Sequence, residues 1–197
     1  MLHPVSDRVE AELRARLPHA TFRALEARYT EEPRGRWRTE DALVVAPATT
    51  GEVAEIVGVA GQARVPVVPF GGGTGLVGGQ IASAGPRPIL LSLERMSAIR
   101  SVHARENVLV AEAGAILADV QAAAAAAGRL FPLSLASEGS ARIGGLLATN
   151  AGGIHVLRYG TARELVLGIE AVLPDGSIHH GLRRLRKDNT GYDLRHL

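Results

Sequence analysis

Apolar side chains recur every four residues at Val5, Val9, Leu13 and Leu17, with Ser6 placed to cap the start and Pro18 just past the end. That spacing predicts an amphipathic helix over residues 6–17. Residues 28–41 are charged and aperiodic, and read as a loop that packs Tyr29 and Trp37 onto the surface. From Ala42 the pattern turns to Leu-Val-Val-Ala-Pro, a short buried strand, and then to Thr49 and Glu52 at the spacing of a capping box. A helix should run from there to about Ala63, burying Val53, Ile56, Val57 and Ala60. Residues 65–70 and 89–93 read as the next two strands. Residues 99–103 and 108–112 pair around the polar Arg105-Glu106-Asn107 turn. An alanine-rich helix over 116–127 ends at Gly128, and a hairpin closes on Pro174-Asp175-Gly176 between segments 165–173 and 177–181.

The strand at 65–70 empties into six glycines within nine residues, Gly71, Gly72, Gly73, Gly75, Gly78 and Gly79. Without Cβ, successive N–H groups can converge on an anion, most plausibly a phosphate. A flexible linker is disfavoured by the buried strand directly before it. Gly73, Gly75 and Gly78 formally satisfy G-x-G-x-x-G, and Glu94 falls where a ribose-binding acid would lie in a dinucleotide fold. That fingerprint must open a helix, however, and Gly-Gln-Ile-Ala-Ser-Ala-Gly-Pro-Arg-Pro cannot build one. No Gly-Lys-Ser/Thr closes the run, so a Walker A loop is excluded. A second cluster follows at Gly139, Gly144, Gly145, Gly152 and Gly153.

Composition narrows the choice further. With 22 Lys and Arg against 20 Asp and Glu, the net charge is +2, and aromatics make up 4%, so neither a basic footprint nor a base-stacking surface for nucleic acid is present. The absence of cysteine excludes disulfides, thiolate catalysis and thiolate metal sites in this chain. No stretch reaches the roughly 18 apolar residues of a membrane span, and the N-terminus resembles no signal or transit peptide, so a soluble, cytoplasmic protein is expected. His155 reads as packed or solvated. His179 and His180 face opposite sides of a strand and make no paired metal site. Arg183 to Lys187 reads as a solvated charged face.

Four ordered stretches carry a more specific signal: Val68-Pro69-Phe70-Gly71-Gly72-Gly73-Thr74-Gly75; Phe131-Pro132-Leu133 through Gly139-Ser140 and Ile143-Gly144-Gly145; Ala148-Thr149-Asn150-Ala151-Gly152-Gly153; and Leu157-Arg158-Tyr159-Gly160. Together they resemble the FAD-binding domain of the vanillyl-alcohol-oxidase/p-cresol-methylhydroxylase (PCMH-type) flavoprotein superfamily, over residues 42–197. Residues 185–194, Leu-Arg-Lys-Asp-Asn-Thr-Gly-Tyr-Asp-Leu, resemble the branch of D-lactate, glycolate-oxidase-subunit and D-2-hydroxyglutarate dehydrogenases. Phe70 departs from the polar residue many such proteins carry before the glycines.

The resemblance implies an α+β fold of two subdomains. A small β-α-β lobe would span about 42–95 and a larger mixed or antiparallel lobe about 96–197, after an N-terminal helix and lead-in over 1–41. It implies FAD as cofactor, with the pyrophosphate wrapped by Gly71, Gly72, Gly73, Thr74, Gly75, Gly78 and Gly79. Pro132, Gly139, Ser140, Ile143, Gly144 and Gly145 would form the second lobe's contribution. Thr149, Asn150, Gly152 and Gly153 would line the ribityl chain and isoalloxazine edge, with Tyr159 and Gly160 beyond them and Val172 toward the adenine. Asn and Thr can satisfy flavin carbonyls and ring nitrogens without fixed charge. The reaction implied is oxidation of a D-2-hydroxy acid to the 2-oxo acid by hydride transfer to flavin N5, with a separate electron acceptor. The substrate-binding half, with its catalytic and metal-binding residues, would follow residue 197, so a truncated, catalytically incomplete chain is expected and no catalytic residue or metal ligand is assigned. Other chemistries in the superfamily, of the aryl-alcohol oxidase or UDP-N-acetylenolpyruvoylglucosamine reductase type, and a non-catalytic subunit retaining the fold, are the alternatives.

Overall fold

The computed structural model describes residues 1–196. Helix α1 (Asp7–Arg16) starts where Ser6 Oγ accepts the Val9 N–H and ends where the Leu17 N–H bonds back to Leu13. Its exposed side carries the i,i+4 pairs Glu10–Arg14 and Glu12–Arg16. A 3-10 turn (His19–Thr21) leads into the short strand β1 (Phe22–Arg23), and α2 (Ala27–Thr30) follows. Strand β2 (Leu43–Val45), helix α3 (Thr50–Ala63), strand β3 (Val67–Phe70) and strand β4 (Ile89–Ser92) complete the first half. The sheet order is β1-β2-β4-β3, with β2, β4 and β3 parallel and β1 antiparallel at the edge.

Parallel strands are covered on both faces, and alternation along them separates two cores. Leu43, Val45, Ile89 and Leu91 join Ile56, Val59 and Ala60 of α3 and Val5, Val9, Leu13 and Leu17 around α1. Burying each of the Val, Leu and Ile side chains stabilises the fold by about 1.5–3 kcal/mol. Val44 and Leu90 face the other way, onto Tyr29 and Phe70. Residues 1–41 are thus built into both faces of the sheet. Tyr29, expected at the surface, is fully buried, its ring edge-on to Phe70 at 5.3 Å. The expected capping box is half formed: Thr49 Oγ1 accepts the Glu52 N–H, while the Glu52 carboxylate accepts from the Ala48 N–H and the Thr21 hydroxyl instead.

The second half opens with the antiparallel ribbon β5 (Ile99–His103) and β6 (Val108–Ala111), turned at Asn107 with a positive φ. Helix α4 (Leu117–Ala126) buries Leu117, Val120 and Ala124. Two short helices follow, α5 (Ile143–Ala148) and α6 (Val156–Tyr159), and then the hairpin β7 (Glu170–Val172) and β8 (Ile178–His180). At its turn the Asp175 carboxylate accepts from the Ser177 N–H and hydroxyl. This hairpin docks on α3: the Thr50 hydroxyl donates to Glu170 at 2.7 Å, and Gly176 approaches Gly58 so closely that a Cβ would lie 3.1 Å from the Gly58 Cα.

Candidate FAD-binding cradle

Strand β3 delivers the chain at Phe70 into residues 71–88, which cross to the start of β4 without a helix. From Gly71 through Gln80, no backbone N–H donates to an acceptor among the described residues. The Thr74 hydroxyl is equally unengaged, and Gly71 to Thr74 are half-buried. Polar groups in such a setting require water or a ligand. Behind the loop, Phe70 packs beneath Gly73, and Trp37 lies against Gly78, where a Cβ would sit 2.8 Å from the indole.

The second glycine cluster lies directly against the first. A Cβ on Gly72 would collide with the Ser140 carbonyl oxygen, and one on Gly71 would touch Arg142 and Gly145 at 3.9 Å. Helix α5, which periodicity does not reveal, is held at its start by the Ile143 N–H on Ala115 O and the Gly144 N–H on Ala113 O at 2.7 Å. Gly144 itself backs onto Ala113. The Arg142 guanidinium donates to Gly114 O on the same loop. Gly145, Gly152 and Gly153 retain N–H groups without acceptors among the described residues, whereas Gly139 lies in an open turn.

The polar side chains of this cluster are used within the chain. Thr149 donates to Gly145 O at 2.9 Å. Asn150, with a φ of 48°, accepts the Arg163 N–H through Oδ1 at 3.0 Å. His155 Nδ1 lies 3.0 Å from Pro132 O, which pins the segment before α6 to the stretch before α5. Tyr159 is partly exposed beneath Arg158, and Gly160, at positive φ, turns the chain beside Glu164. Val172 faces a separate shallow cleft shared with Val57, Val67, Pro69 and Pro174, to which no residue of 71–79 contributes. The structure therefore joins Gly71 and Gly72 to Ser140–Gly145 in one seam from which α5 leads on, and sets Val172 apart.

Glu94 serves the sheet. Its carboxylate accepts from the Tyr29 hydroxyl at 3.0 Å on both oxygens, and pairs with Arg28 at 2.8 Å and Arg23 at 3.3 Å. Burial pushes this carboxyl up, but the Tyr29 hydrogen bond and the two guanidinium groups outweigh it and hold it below the usual carboxylate range. Burial and the adjacent Glu94 push the Tyr29 phenol up to about 12. His180 pairs with Glu170 rather than with His179, and no metal-binding cluster of His, Asp or Glu exists among the described residues. Trp37 and the Ala113–Ala115 turn shape the cradle yet carry no sequence signal, because they meet Gly78 and Gly144 only across the fold, and Gln80 reaches back within its own loop to Gly75 without any periodicity to mark it.

An apolar cavity of about 390 Å³ lies between the β5–β6 ribbon, α4, α5 and residues 165–168. It lacks the donor set of the glycine seam. A run of free backbone N–H groups, a free hydroxyl and a close approach that leaves no room for a Cβ fit a diphosphate-bearing cofactor. Gly71–Gly75, Gly78 and Gly79 would hold the diphosphate, with α5 and residues 149–153 flanking it.

Comparison with known proteins agrees. Residues 42–181 match the FAD binding domain family. The chain is 43% identical over 171 residues to D-2-hydroxyglutarate dehydrogenase, mitochondrial, of Bos taurus, covering 85% of this chain and 31% of that protein. It is 42% identical over 162 residues to the putative D-lactate dehydrogenase C713.03, mitochondrial, of Schizosaccharomyces pombe, covering 82% and 30%. Among solved structures, alkyldihydroxyacetonephosphate synthase superposes with a TM-score of 0.82 at 22% identity, over 99% of this chain and 36% of that one, which establishes the shared fold. The chain spans about a third or less of the curated relatives it matches. The α+β architecture expected from the four motifs is the one found. No described helix is long and apolar enough to cross a membrane. The matched family and the shared fold lead to one conclusion: the chain belongs to the FAD binding domain family, with FAD as its cofactor.

Proposed function

We propose that this chain is the FAD-holding part of an oxidoreductase that converts a D-2-hydroxy acid to the 2-oxo acid. The observation that carries the reading is the uninterrupted run of unpartnered N–H groups from Gly71 to Gln80, pressed against Ser140 and α5. The names of relatives above 40% identity supply the substrate class. Bound FAD supplies the two-electron acceptor for a hydride leaving the carbinol carbon.

The residues of this chain bind and orient. N–H groups of the first loop and the Thr74 hydroxyl would hold the diphosphate by hydrogen bonds. The Gly72–Ser140 contact leaves no gap for water between the two loops. The Asn150–Arg163 and His155–Pro132 bonds hold residues 149–155 in place along the flavin. The division into a lobe over 42–95 and one over 96–197 would set this cradle at their junction. The hydroxy acid and a separate electron acceptor are partners of the whole protein. A cytoplasmic location belongs to the same reading; both relatives named above are mitochondrial, and cell fractionation decides between the compartments.

The test is to add FAD to the purified chain and record the visible spectrum and flavin fluorescence before and after gel filtration. Retained flavin with a perturbed spectrum is expected, and a folded chain that holds no flavin overturns the reading. Reduction of the flavin in the whole protein by D-2-hydroxy acids, and not by aryl alcohols, is the expected substrate result.

A further inference from the structure

The first glycine loop is tethered by very few bonds. After the Leu93 N–H donates to Phe70 O, the next backbone hydrogen bond in the loop is from the Ile81 N–H to Gly78 O. Between them one side chain reaches back. The Gln80 Nε2 donates to Gly75 O at 2.8 Å and lies 3.5 Å from Gly73 O. Its amide packs against Gly75, where a Cβ would stand 2.8 Å from Gln80 Oε1.

In a planar trans peptide, the carbonyl of one residue and the N–H of the next point in opposite directions. Holding the carbonyls of Gly73 and Gly75 toward Gln80 therefore turns the Thr74 and Leu76 N–H groups away from it. Neither N–H has an acceptor among the described residues. We propose that Gln80 is a positioning residue that clamps the carbonyl side of the loop and so presents the Thr74 and Leu76 N–H groups to the diphosphate of FAD. The chemistry suits glutamine: two acceptors call for one nitrogen with two N–H bonds, which glutamate of equal length does not offer. This inference rests on the FAD reading above and adds the residue that orients its donors.

Trp37, the only tryptophan, packs on Gly78 in the same loop and serves as an internal reporter. The experiment compares the wild-type chain with Gln80→Met and Gln80→Glu, following Trp37 fluorescence during titration with FAD, ADP or riboflavin, alongside flavin-free melting temperatures. Gln80→Met keeps length and removes the donor; Gln80→Glu also places a negative charge against two carbonyls. Gln80→Met should bind FAD and ADP about tenfold more weakly, the scale of one lost hydrogen bond in an ordered site. Gln80→Glu should bind more weakly still. The response to riboflavin, which has no phosphate, and the flavin-free melting temperature should stay near wild type. FAD affinity of Gln80→Met within twofold of wild type overturns the proposal. So does a loss that extends equally to riboflavin or follows a collapse in melting temperature, since either makes Gln80 a purely structural residue. A wild-type chain that binds no FAD overturns the functional reading instead.

Discussion

The two glycine-rich regions, six glycines in nine residues at 71–79 and five in fifteen at 139–153, use their hydrogen-bond donors in opposite ways. In residues 71–79 the N–H groups are free, and the loop is braced from behind by Trp37, Phe70 and Gln80. In residues 139–153 many donors are spent on the chain itself: Ile143 and Gly144 on the Ala113–Ala115 turn, Thr149 on Gly145, Asn150 on Leu147 and Ala151 on Leu146. Glycine in the first region keeps donors available. In the second it lets α5 seat tightly on the end of β6 and meet the first loop without side chains between them. In the proposed reading the first region would hold the diphosphate, and the second would be the wall that gives it shape.

The strongest way to break this pairing is at their contact. Gly72→Val drives a side chain into the Ser140 carbonyl, so flavin retention after gel filtration should be abolished and stability should fall by about 1–3 kcal/mol, as for an overpacked site. Gly144→Ala tests the wall alone. Its Cβ would stand 2.9 Å from that of Ala113, while alanine favours the helix, so a net loss of about 1 kcal/mol in denaturant unfolding is expected. Flavin affinity should suffer far less than in Gly72→Val; an equal loss would show that the wall supplies the binding contacts.

A smaller effect separates the brace from the ligand surface through pH. Glu94 titrates lower in the folded state than in the unfolded one. Its stabilising contribution is therefore complete above the ordinary glutamate pKa of 4.5 and is lost as pH falls from there through the folded value. Glu94→Gln should flatten the acid limb of the melting-temperature profile, and an unchanged limb would show that the bonds of Glu94 to Tyr29, Arg28 and Arg23 do not stabilise the fold. Tyr29, raised to about 12, acts at the other end: its contribution is complete below pH 10 and is lost as pH rises toward 12, so Tyr29→Phe should flatten the alkaline limb. The smallest change is expected at Gly79→Ala. No atom lies within 4 Å of the added Cβ, and stability should stay within about 0.5 kcal/mol of wild type.

Much of this architecture is legible one segment at a time. The four-residue spacing of Val5, Val9, Leu13 and Leu17 marks α1, Thr49 marks the start of α3, and Gly128 the end of α4. The Asp175-Gly176 turn closes its hairpin as expected, because helix period, strand alternation and turn φ are properties of neighbouring residues. The ordered motifs likewise marked two stretches that the fold brings into contact, at Gly72 and Ser140.

Other features depend on segments that meet only when folded. Aperiodic charge around Tyr29 gives no hint that its ring is buried, since the space under Phe70 and the partnership with Glu94 exist only once the sheet has formed. Nothing near Gly176 indicates that its turn seats on Gly58. By itself, then, the sequence determined the longer elements with their main caps and turns, and the motifs of an FAD-binding domain in order, but not the short elements β1, α2, α5 and α6. Tertiary structure alone decided which glycines present donors and which permit contact, that Gln80 faces the loop's carbonyls, and that Ser140 stands behind Gly72. The reason is physical: local pattern sets backbone conformation, but the fate of an N–H or of the space beside a Cα is settled by whatever distant segment packs against it.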